Sequence, residues 1–366
     1  MTTLSDHPAS IHVLGGRQFG GADQFYVRLI RALRDAGQDV TAVNRVGSPV
    51  AQALAHDGVA QVHFPFANGW DAWTAWRLRA LIGAREPCVV QTYMGRATRL
   101  TRLPATSRAV HIARLGGYYK IDGYYRHAHA WIGNTKALCD YLVQSGLPAE
   151  RVFLIGNFVP DPVGASPEQV EALRAEWALP KDAWTLFALG RLIEKKGFHD
   201  LLKAASLLPP EINGRPWVLL IAGTGPLEAE LKALAAQLQL GHRVRWLGWQ
   251  DPPDAFYALT DVFVCPSRDE PLGNVILEAW NHGLPVISTR TAGATELIED
   301  GRTGLLSPIQ APQDLAGCIQ DMLTATPVQR AEFGEAGRQY LQANFSKQAI
   351  LSAYLSLYDQ LLTTGR

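Results

Sequence analysis

The chain has 366 residues, of which 47% are hydrophobic and 19% charged, and its 34 basic and 34 acidic side chains give a formal net charge of zero. This composition excludes a disordered protein, and the length predicts two domains of about 150 to 200 residues each. The sequence has no apolar run of about 18 residues or more, and its first residues, MTTLSDHPAS, lack the basic and apolar segments of a signal peptide, so we expect a cytoplasmic protein.

The zero net charge hides an uneven distribution. Residues 1 to 160 carry 17 basic and 10 acidic side chains, whereas residues 161 to 366 carry 17 basic and 24 acidic ones. A basic half of this kind is compatible with contact to an anionic surface and also with ordinary solubilising charge. The four cysteines are far apart and form no C-x-x-C pair, which predicts buried free thiols rather than disulfides or a zinc site.

The N-terminal half alternates short apolar runs with helical patterns. IHVLGG predicts a strand that ends in glycines, and after RQFGG the segment ADQFYVRLIRALRDAG has apolar residues at helical spacing. The later runs of this half are DVTAVNRV, VAQVHF, CVVQTY, AVHIARL, AWIGNT and RVFLIGN. Strands that alternate with helices predict a parallel sheet covered on both faces.

A second series of the same kind follows GNFVPDPVG, which we interpret as an interdomain linker. Its predicted strands are WTLFALGR, WVLLIAGTG, VRWLGW, DVFVCPS, PVISTR and GLLSP, and no strand follows the last helical stretch. We therefore predict an α/β fold with doubly wound domains at residues 1–160 and 161–345, and a helix within 346–366 that packs back across them. Such folds bind ligands at the carboxyl ends of their strands.

Two cations follow the first strand of the second series. Arg191 comes directly after WTLFALG, and Lys196 lies five residues further on in GRLIEKKG. Both can project from the strand end, where two cations would suit a diphosphate. The alternative interpretations are that Lys195 takes this role or that the segment is a plain surface loop.

The segment RDEPLGNVILEAWNHGLPVIST places Glu270 and Glu278 on either side of a predicted helix start at PLGN. The backbone N–H groups near Gly273 and Asn274 would be free to attract a phosphate there. Glu270 could accept hydrogen bonds from sugar hydroxyls, and Glu278 could reach the hydroxyls of a ribose.

Taken together, GRLIEKKG, AGTGP, EPLGNVILEAW and TAGATELIEDGRTGLL resemble the GT4 family of retaining glycosyltransferases, the glycosyl transferases group 1. The segment LGGRQFGGADQFYVRLIRALRDAGQDV is similar to the glycine loop and first helix of that family. The resemblance implies a GT-B fold, in which two Rossmann-like lobes face a central cleft. The N-terminal lobe would then bind the acceptor and the C-terminal lobe the nucleotide-sugar donor.

The resemblance also implies roles for individual residues. Arg191 and Lys196 would bind the donor diphosphate, Glu270 would contact the donor sugar, and Glu278 would bind the ribose. Arg191, Lys196 and Glu270 are thus the candidate catalytic residues. The remaining donor-binding candidates are Leu272, Gly273, Asn274 and Val275, together with Gly15 and Gly16 of the glycine loop.

For Gly15 and Gly16, absence of a Cβ would let the N-terminal loop approach the diphosphate, and a tight turn without a ligand is the alternative. Many relatives also carry a histidine after a strand of the N-terminal lobe, whereas the corresponding stretches here are VVQTYMGRAT and AVHIARLGGYYK. We expect Arg96 or Arg114 to replace it beside the donor sugar. Tyr118 and Tyr119 are expected on the acceptor side, and His111, in an alternating apolar strand, in the core.

The sequence contains no D-x-D pair, so we expect no metal cofactor and a diphosphate neutralised by cations and a helix dipole. The predicted activity is retaining hexosyl transfer from a UDP- or GDP-sugar to a hydroxyl of a cell-envelope glycan or lipid-linked saccharide. A nucleotide-sugar epimerase or phosphorylase of similar fold is the alternative. LGGRQFGG lacks the G-x-G-x-x-G spacing of dinucleotide-dependent oxidoreductases, and no nucleic-acid-binding motif accompanies the basic half.

One further segment, NGWDAWTAWRLRALIGAR, has tryptophans at every third position, which on one helix would form a broad face. Two interpretations remain open. The tryptophans could pack on the sheet as core, or the segment could dock on an anionic membrane as an interfacial helix. The residues concerned are Trp70, Trp73 and Trp76, followed by Arg77, Arg79 and Arg85.

Overall fold

The computed structural model describes residues 8–17 and 19–364. Most of the N-terminal segment in which we predict no signal peptide lies outside these residues. The chain forms two compact units. Unit 1 contains the chain up to Phe158 and again from Phe345 onward, and unit 2 contains Val159–Asn344.

Unit 1 is built on a parallel sheet with the strand order β3-β2-β1-β4-β5-β6-β7. The strands are β1 (Ser10–Leu14), β2 (Val40–Arg45), β3 (Ala60–Phe64), β4 (Val89–Tyr93), β5 (Val110–Leu115), β6 (Ala130–Gly133) and β7 (Val152–Leu154). Side chains of β1 alternate between two hydrophobic clusters, because Ile11 and Val13 belong to one and Leu14 to the other. The sheet is therefore covered on both faces, as predicted.

The helices of unit 1 are α1 (Gly21–Asp35), α2 (Pro49–Ala53), α3 (Ala72–Gly83), α4 (Met94–Leu100), α5 (Lys136–Gln144) and the C-terminal helix. In α1 the buried residues Phe25, Leu29 and Leu33 recur every fourth position, which gives the helix one apolar face toward the sheet. Asp23 accepts a hydrogen bond from the backbone N of Gly20 at 3.0 Å and caps the helix start.

Unit 2 contains a second sheet with the order β11-β10-β8-β12-β13-β14, and the short strand β9 pairs antiparallel with β10. The strands are β8 (Trp184–Leu189), β9 (Glu211–Ile212), β10 (Arg215–Ala222), β11 (Val244–Gly248), β12 (Val262–Cys265), β13 (Val286–Thr289) and β14 (Leu305–Ser307). The helices are α6 (Pro167–Glu176), α7 (Phe198–Leu207), α8 (Glu228–Gln237), α9 (Asp254–Ala258), α10 (Asn274–Asn281), α11 (Ala292–Leu297), α12 (Pro312–Thr324) and α13 (Pro327–Phe345).

The C-terminal helix α14 (Lys347–Thr364) packs into the core of unit 1. Its Tyr358 hydroxyl donates to Oε1 of Gln91 on β4 at 2.8 Å, and its Tyr354 hydroxyl accepts from Nε of Arg114 on β5 at 3.0 Å. A helix that follows unit 2 in sequence therefore completes the core of unit 1.

The structure of the tryptophan segment, NGWDAWTAWRLRALIGAR, differs from two of our expectations. Helix α3 begins at Ala72, so Trp70 lies in the turn before the helix and the three tryptophans do not share one helical face. Trp70, Trp73 and Trp76 are 81%, 51% and 62% exposed, and the buried face of α3 consists of smaller side chains. The core interpretation of these tryptophans is wrong.

Both sheets have a topological switch point, which is the place where consecutive strands move to opposite sides of the first strand. It lies between β1 and β4 in unit 1 and between β8 and β12 in unit 2. Loops diverge there at the carboxyl ends of the strands and leave a crevice in which doubly wound sheets bind ligands. No helix in the described part of the chain is long and apolar enough to cross a membrane.

Candidate functional site

The switch-point crevice of unit 2 contains an ion pair between Lys196 and Glu270, whose side chains are 19% and 15% exposed. Lys196 belongs to a one-turn 3-10 helix, Glu194–Lys196, in the loop after β8, and Glu270 lies in the loop after β12. Burial of the ammonium group opposes its charge, but the charge and hydrogen bond of the adjacent Glu270 carboxylate, together with Cys265 and Asp269, outweigh burial and raise the pKa of Lys196. The structure thus brings together two of the predicted catalytic residues, 74 positions apart.

Close contact between the two loops holds this pair in place. The backbone N atoms of Arg268 and Asp269 donate to the carbonyl of Lys195 at 2.8 and 3.2 Å. Gly197 has a φ of +67°, and a Cβ at this position would collide with the carbonyl oxygen of Pro266. A glycine is therefore needed for the Lys196 turn to reach the loop after β12.

Arg268 and Asp200 form a second connection that the sequence analysis missed. Arg268 donates from Nε and Nη2 to the two carboxylate oxygens of Asp200 on α7, at 2.6 and 2.8 Å, and also pairs with Glu194. Bidentate pairs of this kind have a fixed geometry. Arg268 therefore connects the turn that carries Lys196 to α7. Its position in RDEPLGN, two residues before Glu270, could have identified it from the sequence as part of the site.

Helix α10 begins beside Glu270. Its N-cap, Gly273, has a φ of +91°, and the backbone N of Gly293 at the start of α11 donates to the carbonyl of Glu270 at 2.9 Å. Of the predicted backbone positions, Leu272 and the N-cap Gly273 therefore lie just before an eight-residue helix, and Asn274 and Val275 are its first two residues. The partial positive charge of a helix N-terminus favours an anion at this position.

Glu278 lies on α10, one turn beyond its start, and accepts a hydrogen bond from the Tyr257 hydroxyl at 3.3 Å. Tyr257 is buried and stacks on His282 with 4.7 Å between ring centroids. Burial, and then the negative charge of Glu278, raise the pKa of Tyr257 well above its ordinary value, so the hydroxyl stays a donor. Tyr257 fixes one oxygen of Glu278 and was also missed.

Arg191, the third predicted catalytic residue, is exposed and lies in the same loop as Lys196. The loop is held by backbone hydrogen bonds to the segment after β10, where Leu192 donates to the carbonyl of Thr224 at 3.0 Å. Arg191 thus has a fixed backbone and a side chain in contact with solvent. In the described residues, no group of three or more His, Cys, Asp or Glu side chains is arranged to hold a metal ion.

The remaining predicted donor residues, Gly15 and Gly16, follow β1 in unit 1. Gly15 is buried, and a Cβ there would lie 2.7 Å from Cδ1 of Phe66, so close packing against Phe66 already requires a glycine. Arg96 of α4 lies beside this loop, because its Nη1 is 3.4 Å from the carbonyl of Gly15 and 3.1 Å from that of Phe66.

Arg114 lies in the core of unit 1, where its side chain is engaged by neighbours. Only 3% of the residue is exposed, and its guanidinium lies 4.1 Å from the centre of the Phe25 ring. It also donates to Tyr354 and to the amide oxygen of Asn157. In this position Arg114 connects β5 to α14, whereas Arg96 is partly exposed at the crevice.

The two tyrosines predicted on the acceptor side differ in exposure. Tyr118 is 44% exposed and packs edge-on against Tyr141, with 5.3 Å between ring centroids. Tyr119 is partly buried and stacks on Tyr125 at 6.4 Å. His111 lies on β5 and is buried, as predicted.

Comparison with known proteins identifies similar sequences over nearly the whole chain. The family model for glycosyl transferases group 1 matches residues 169–340. The lipopolysaccharide core biosynthesis glycosyltransferase LpsE of Rhizobium meliloti (strain 1021) is 33% identical over 341 residues, which are 92% of this chain and 95% of that protein. LpsD of the same organism is 30% identical over 96% of this chain and 98% of its own length.

Solved structures match the fold of the whole chain. A glycosyltransferase from Rickettsia africae ESF-5 superposes with a TM-score of 0.87 at 19% identity and covers 98% of this chain and 100% of its own. Anabaena Alr3699/HepE, solved in complex with UDP and glucose, has a TM-score of 0.83 at 20% identity, with 97% and 100% coverage. These likenesses show the GT-B fold.

Proposed function

The chain belongs to the glycosyl transferases group 1 family, and we propose that it is a retaining hexosyltransferase that moves a sugar from a nucleotide-sugar to a hydroxyl group of a saccharide. The observation that carries this proposal is the Lys196–Glu270 pair beside the N-terminus of α10, at the switch point of the unit 2 sheet. Such a crevice offers a cation and backbone N–H groups to phosphate, and a carboxylate to sugar hydroxyls.

The departing group in this reaction is a nucleoside diphosphate, so the main catalytic requirement is to stabilise the negative charge that develops on its β-phosphate. We assign this role to Lys196, Arg191 and the first turn of α10. Lys196 keeps its charge because Glu270 holds it there. Three sources of positive potential would replace a divalent metal, and we propose a metal-independent reaction.

Retention is proposed to occur by attack on the face from which the diphosphate departs. The bond from the anomeric carbon to the phosphate oxygen breaks, and a bond to the acceptor oxygen forms on the same face. The acceptor proton passes to the departing phosphate oxygen, so no protein base is needed. Glu270 would then hold the donor sugar by accepting hydrogen bonds from its hydroxyls.

The nucleoside is assigned to the part of the crevice near Glu278. The Tyr257 hydroxyl donates to one carboxylate oxygen of Glu278, and we assign the ribose hydroxyls to this carboxylate as hydrogen-bond donors. The donor is proposed to be a UDP- or GDP-sugar. The structural similarity to Alr3699/HepE, whose complexes contain UDP and glucose, favours a UDP-sugar.

The acceptor is proposed to be a cell-envelope glycan or lipid-linked saccharide, and specifically one of the lipopolysaccharide core. Support comes from LpsE and LpsD, two proteins of lipopolysaccharide core biosynthesis that match more than nine-tenths of this chain. We propose that the enzyme works in the cytoplasm, at the inner face of the membrane.

The exposed tryptophans of unit 1 support peripheral membrane contact. Trp70 lies under the guanidinium of Arg99 at 3.7 Å from the ring centre, and Trp73 lies near Arg77 at 5.6 Å. Tryptophans next to arginines on an accessible surface are typical of segments at the membrane interface. We propose that this surface docks on anionic lipid and brings the enzyme to a lipid-linked acceptor.

A thermal-shift panel of UDP-, GDP- and ADP-sugars tests the donor assignment. A ligand at 100 times its dissociation constant adds about 2.7 kcal/mol to the free energy of unfolding. We expect a UDP- or GDP-sugar to stabilise the wild type and to act more weakly on Glu278→Gln. Stabilisation by none of these donors would refute the proposed function.

Metal independence is tested by adding EDTA to a transfer assay. We expect the initial rate to be unchanged. A loss of turnover that magnesium or manganese restores would refute the metal-free reaction.

Membrane docking is tested by co-sedimentation with vesicles containing anionic lipid. We expect binding at low salt, less binding at high salt, and a loss in Arg77→Glu/Arg79→Glu, since each basic residue near such a surface contributes about 1 kcal/mol. The control Arg108→Glu/Arg126→Glu changes the charge of unit 1 equally, outside this surface. Equal binding by both double variants would refute the docking surface.

A further inference from the structure

The switch-point crevice of unit 1 contains three arginines that come from three different segments. Arg17 follows β1, Arg45 ends β2, and Arg96 lies in the first turn of α4 after β4. Since β1 pairs with β2 on one side and β4 on the other, the carboxyl ends of all three strands lie at one edge of the sheet. We call these residues the triple-arginine cluster.

Backbone carbonyls of one loop gather the cluster. The carbonyl of Phe66 accepts from Nη1 of Arg45 at 2.8 Å and from Nη1 of Arg96 at 3.1 Å, and the carbonyl of Ala67 lies 3.4 Å from Nη2 of Arg17. Two guanidinium groups thus share one neutral oxygen, and a third lies one residue away. Neutral carbonyls satisfy N–H groups but do not cancel three positive charges.

In the described part of the chain, acidic neighbours do not pair with the cluster. Among the described residues, no carboxylate lies within 4.0 Å of the charged nitrogens of these arginines. The nearby Asp71 is engaged elsewhere, because its oxygens accept hydrogen bonds from the backbone N of Ala67 and from the N and hydroxyl of Thr74. Burial, followed by the charges of Arg17 and Arg96, lowers the pKa of Arg45, while Asp71 opposes this.

The cluster is also accessible. Arg17 is exposed and Arg45 and Arg96 are partly exposed, so a ligand can reach all three from solvent. Convergent guanidinium groups are the usual means by which proteins bind phosphate and carboxylate. The cluster lies at a switch point, which is the place where a doubly wound sheet binds its ligand.

We propose that the triple-arginine cluster binds an anionic substituent, a phosphate or a carboxylate, of the acceptor saccharide, and that this enzyme selects acidic acceptors. This inference rests on the proposed glycosyl transfer and deepens it. The donor diphosphate already has cations in unit 2, whereas these arginines belong to unit 1. A neutral acceptor would leave their mutual repulsion in place, and an acidic one would relieve it.

The first test measures anion binding without any transfer reaction. Inorganic phosphate is titrated against chloride at constant ionic strength, with the melting temperature as readout, in an Arg191→Met/Lys196→Met background so that both unit 2 cations proposed to bind the diphosphate are absent. We expect phosphate to stabilise this protein, and Arg17→Gln/Arg96→Gln to lose at least half of the shift. Arg102→Gln, which replaces an exposed arginine outside the cluster, is the control. It should keep the full rise in melting temperature.

The second test compares the KM for the acceptor with the KM for the donor. It uses the enzyme with Arg191 and Lys196 intact and deacylated lipopolysaccharide core oligosaccharide as the acceptor. We expect Arg17→Gln/Arg96→Gln to raise the acceptor KM by about tenfold or more and to change the donor KM by less than twofold. A rise in the donor KM instead would assign the cluster to the donor and overturn the inference. The inference would also be overturned if phosphate did not raise the melting temperature, or raised it equally in the double variant.

These outcomes are distinct from a failure of the proposed function. If no nucleotide-sugar binds or reacts, the phosphate titration still reports on the cluster, because it needs neither donor nor transfer. If vesicle binding, rather than the phosphate response, is lost in Arg17→Gln/Arg96→Gln, the cluster serves a lipid surface and the acceptor assignment is wrong.

Discussion

The switch-point crevices of the two units have the same topological position and differ in how their charges are balanced. In unit 2, Lys196 is paired with Glu270, and Arg268 with Asp200. In unit 1, the hydrogen bonds that hold the guanidinium groups of the triple-arginine cluster together, among the residues that the structure describes, go to neutral carbonyl oxygens. The strand order determines where a ligand can bind, and the side chains on the diverging loops determine its charge.

This difference has a consequence for how each crevice is organised before a ligand arrives. In the unit 2 crevice, Lys196 and Arg268 are each paired with a carboxylate, so Lys196 and Glu270 are held in position for phosphate and for sugar hydroxyls. The unit 1 crevice keeps an excess of positive charge that an incoming anion would cancel. Changes in the two crevices should therefore have different effects on activity and on stability.

The largest effect is expected for Lys196→Met, which removes a cation that we propose stabilises the leaving group. Loss of one such preorganised donor lowers turnover by about 100- to 1,000-fold. Lys195→Met is a matched control, because Lys195 lies in the same turn with a side chain that is 51% exposed. Initial rates at saturating donor measure both variants, and equal rates for the two would remove Lys196 from the catalytic site.

A smaller effect, on stability, is expected for Gly197→Ala, because the turn that carries Lys196 depends on close contact with Pro266. A non-glycine residue at positive φ costs about 1–2 kcal/mol, and the collision with the Pro266 carbonyl adds about 1–3 kcal/mol. Gly214→Ala isolates the first contribution, since Gly214 has a φ of +70° and no atom within 4 Å of its Cβ position. Chemical denaturation measures both, and similar losses would show that the two loops adapt without this contact.

Glu270→Gln should lower transfer by about tenfold or more, because an amide replaces one hydrogen-bond acceptor for the sugar and no longer holds the charge of Lys196. Asp269→Asn is the neighbouring control, with a side chain that is 62% exposed. Rates under donor-limiting conditions compare the two. Full activity of Glu270→Gln would show that Glu270 does not make the proposed contact with the donor sugar.

The smallest effect is expected for Arg17→Gln in the free protein. Since its neighbours are also cations, removing one charge should change the free energy of unfolding by no more than about 0.5 kcal/mol. Lys196→Met, by contrast, removes the positively charged partner of Glu270 and should cost about 1–3 kcal/mol. Denaturation at low salt without phosphate compares them. A large loss in Arg17→Gln would mean that the cluster mainly stabilises the fold.

The sequence predicted those features that depend on neighbouring residues. Alternation of apolar runs and helices predicted both sheets, and the Glu270–Glu278 segment predicted a helix whose start is fixed by Gly273. Lys196 and Glu270 could also be anticipated, because each follows a strand and the carboxyl ends of parallel strands meet at one edge.

Features that depend on distant segments could not be predicted. Arg96 or Arg114 was expected beside the donor sugar, and nothing in the sequence indicated that Arg114 donates to Tyr354, 240 positions away, in the core of unit 1. The triple-arginine cluster was missed because only the strand order brings Arg17, Arg45 and Arg96 together. The sequence also did not show that Trp70 lies outside the helix, because this depends on where α3 begins, at Ala72.

The place of α14 in unit 1 has a consequence for biosynthesis. Unit 2 is inserted in sequence between the two parts of unit 1, and α14 supplies Tyr354 and Tyr358 to the unit 1 core. While a ribosome makes the chain, the first part of unit 1 emerges first but cannot close its core until residues 347–364 have left the exit tunnel. Unit 2, which is continuous, is then free to fold earlier, although it is synthesised later.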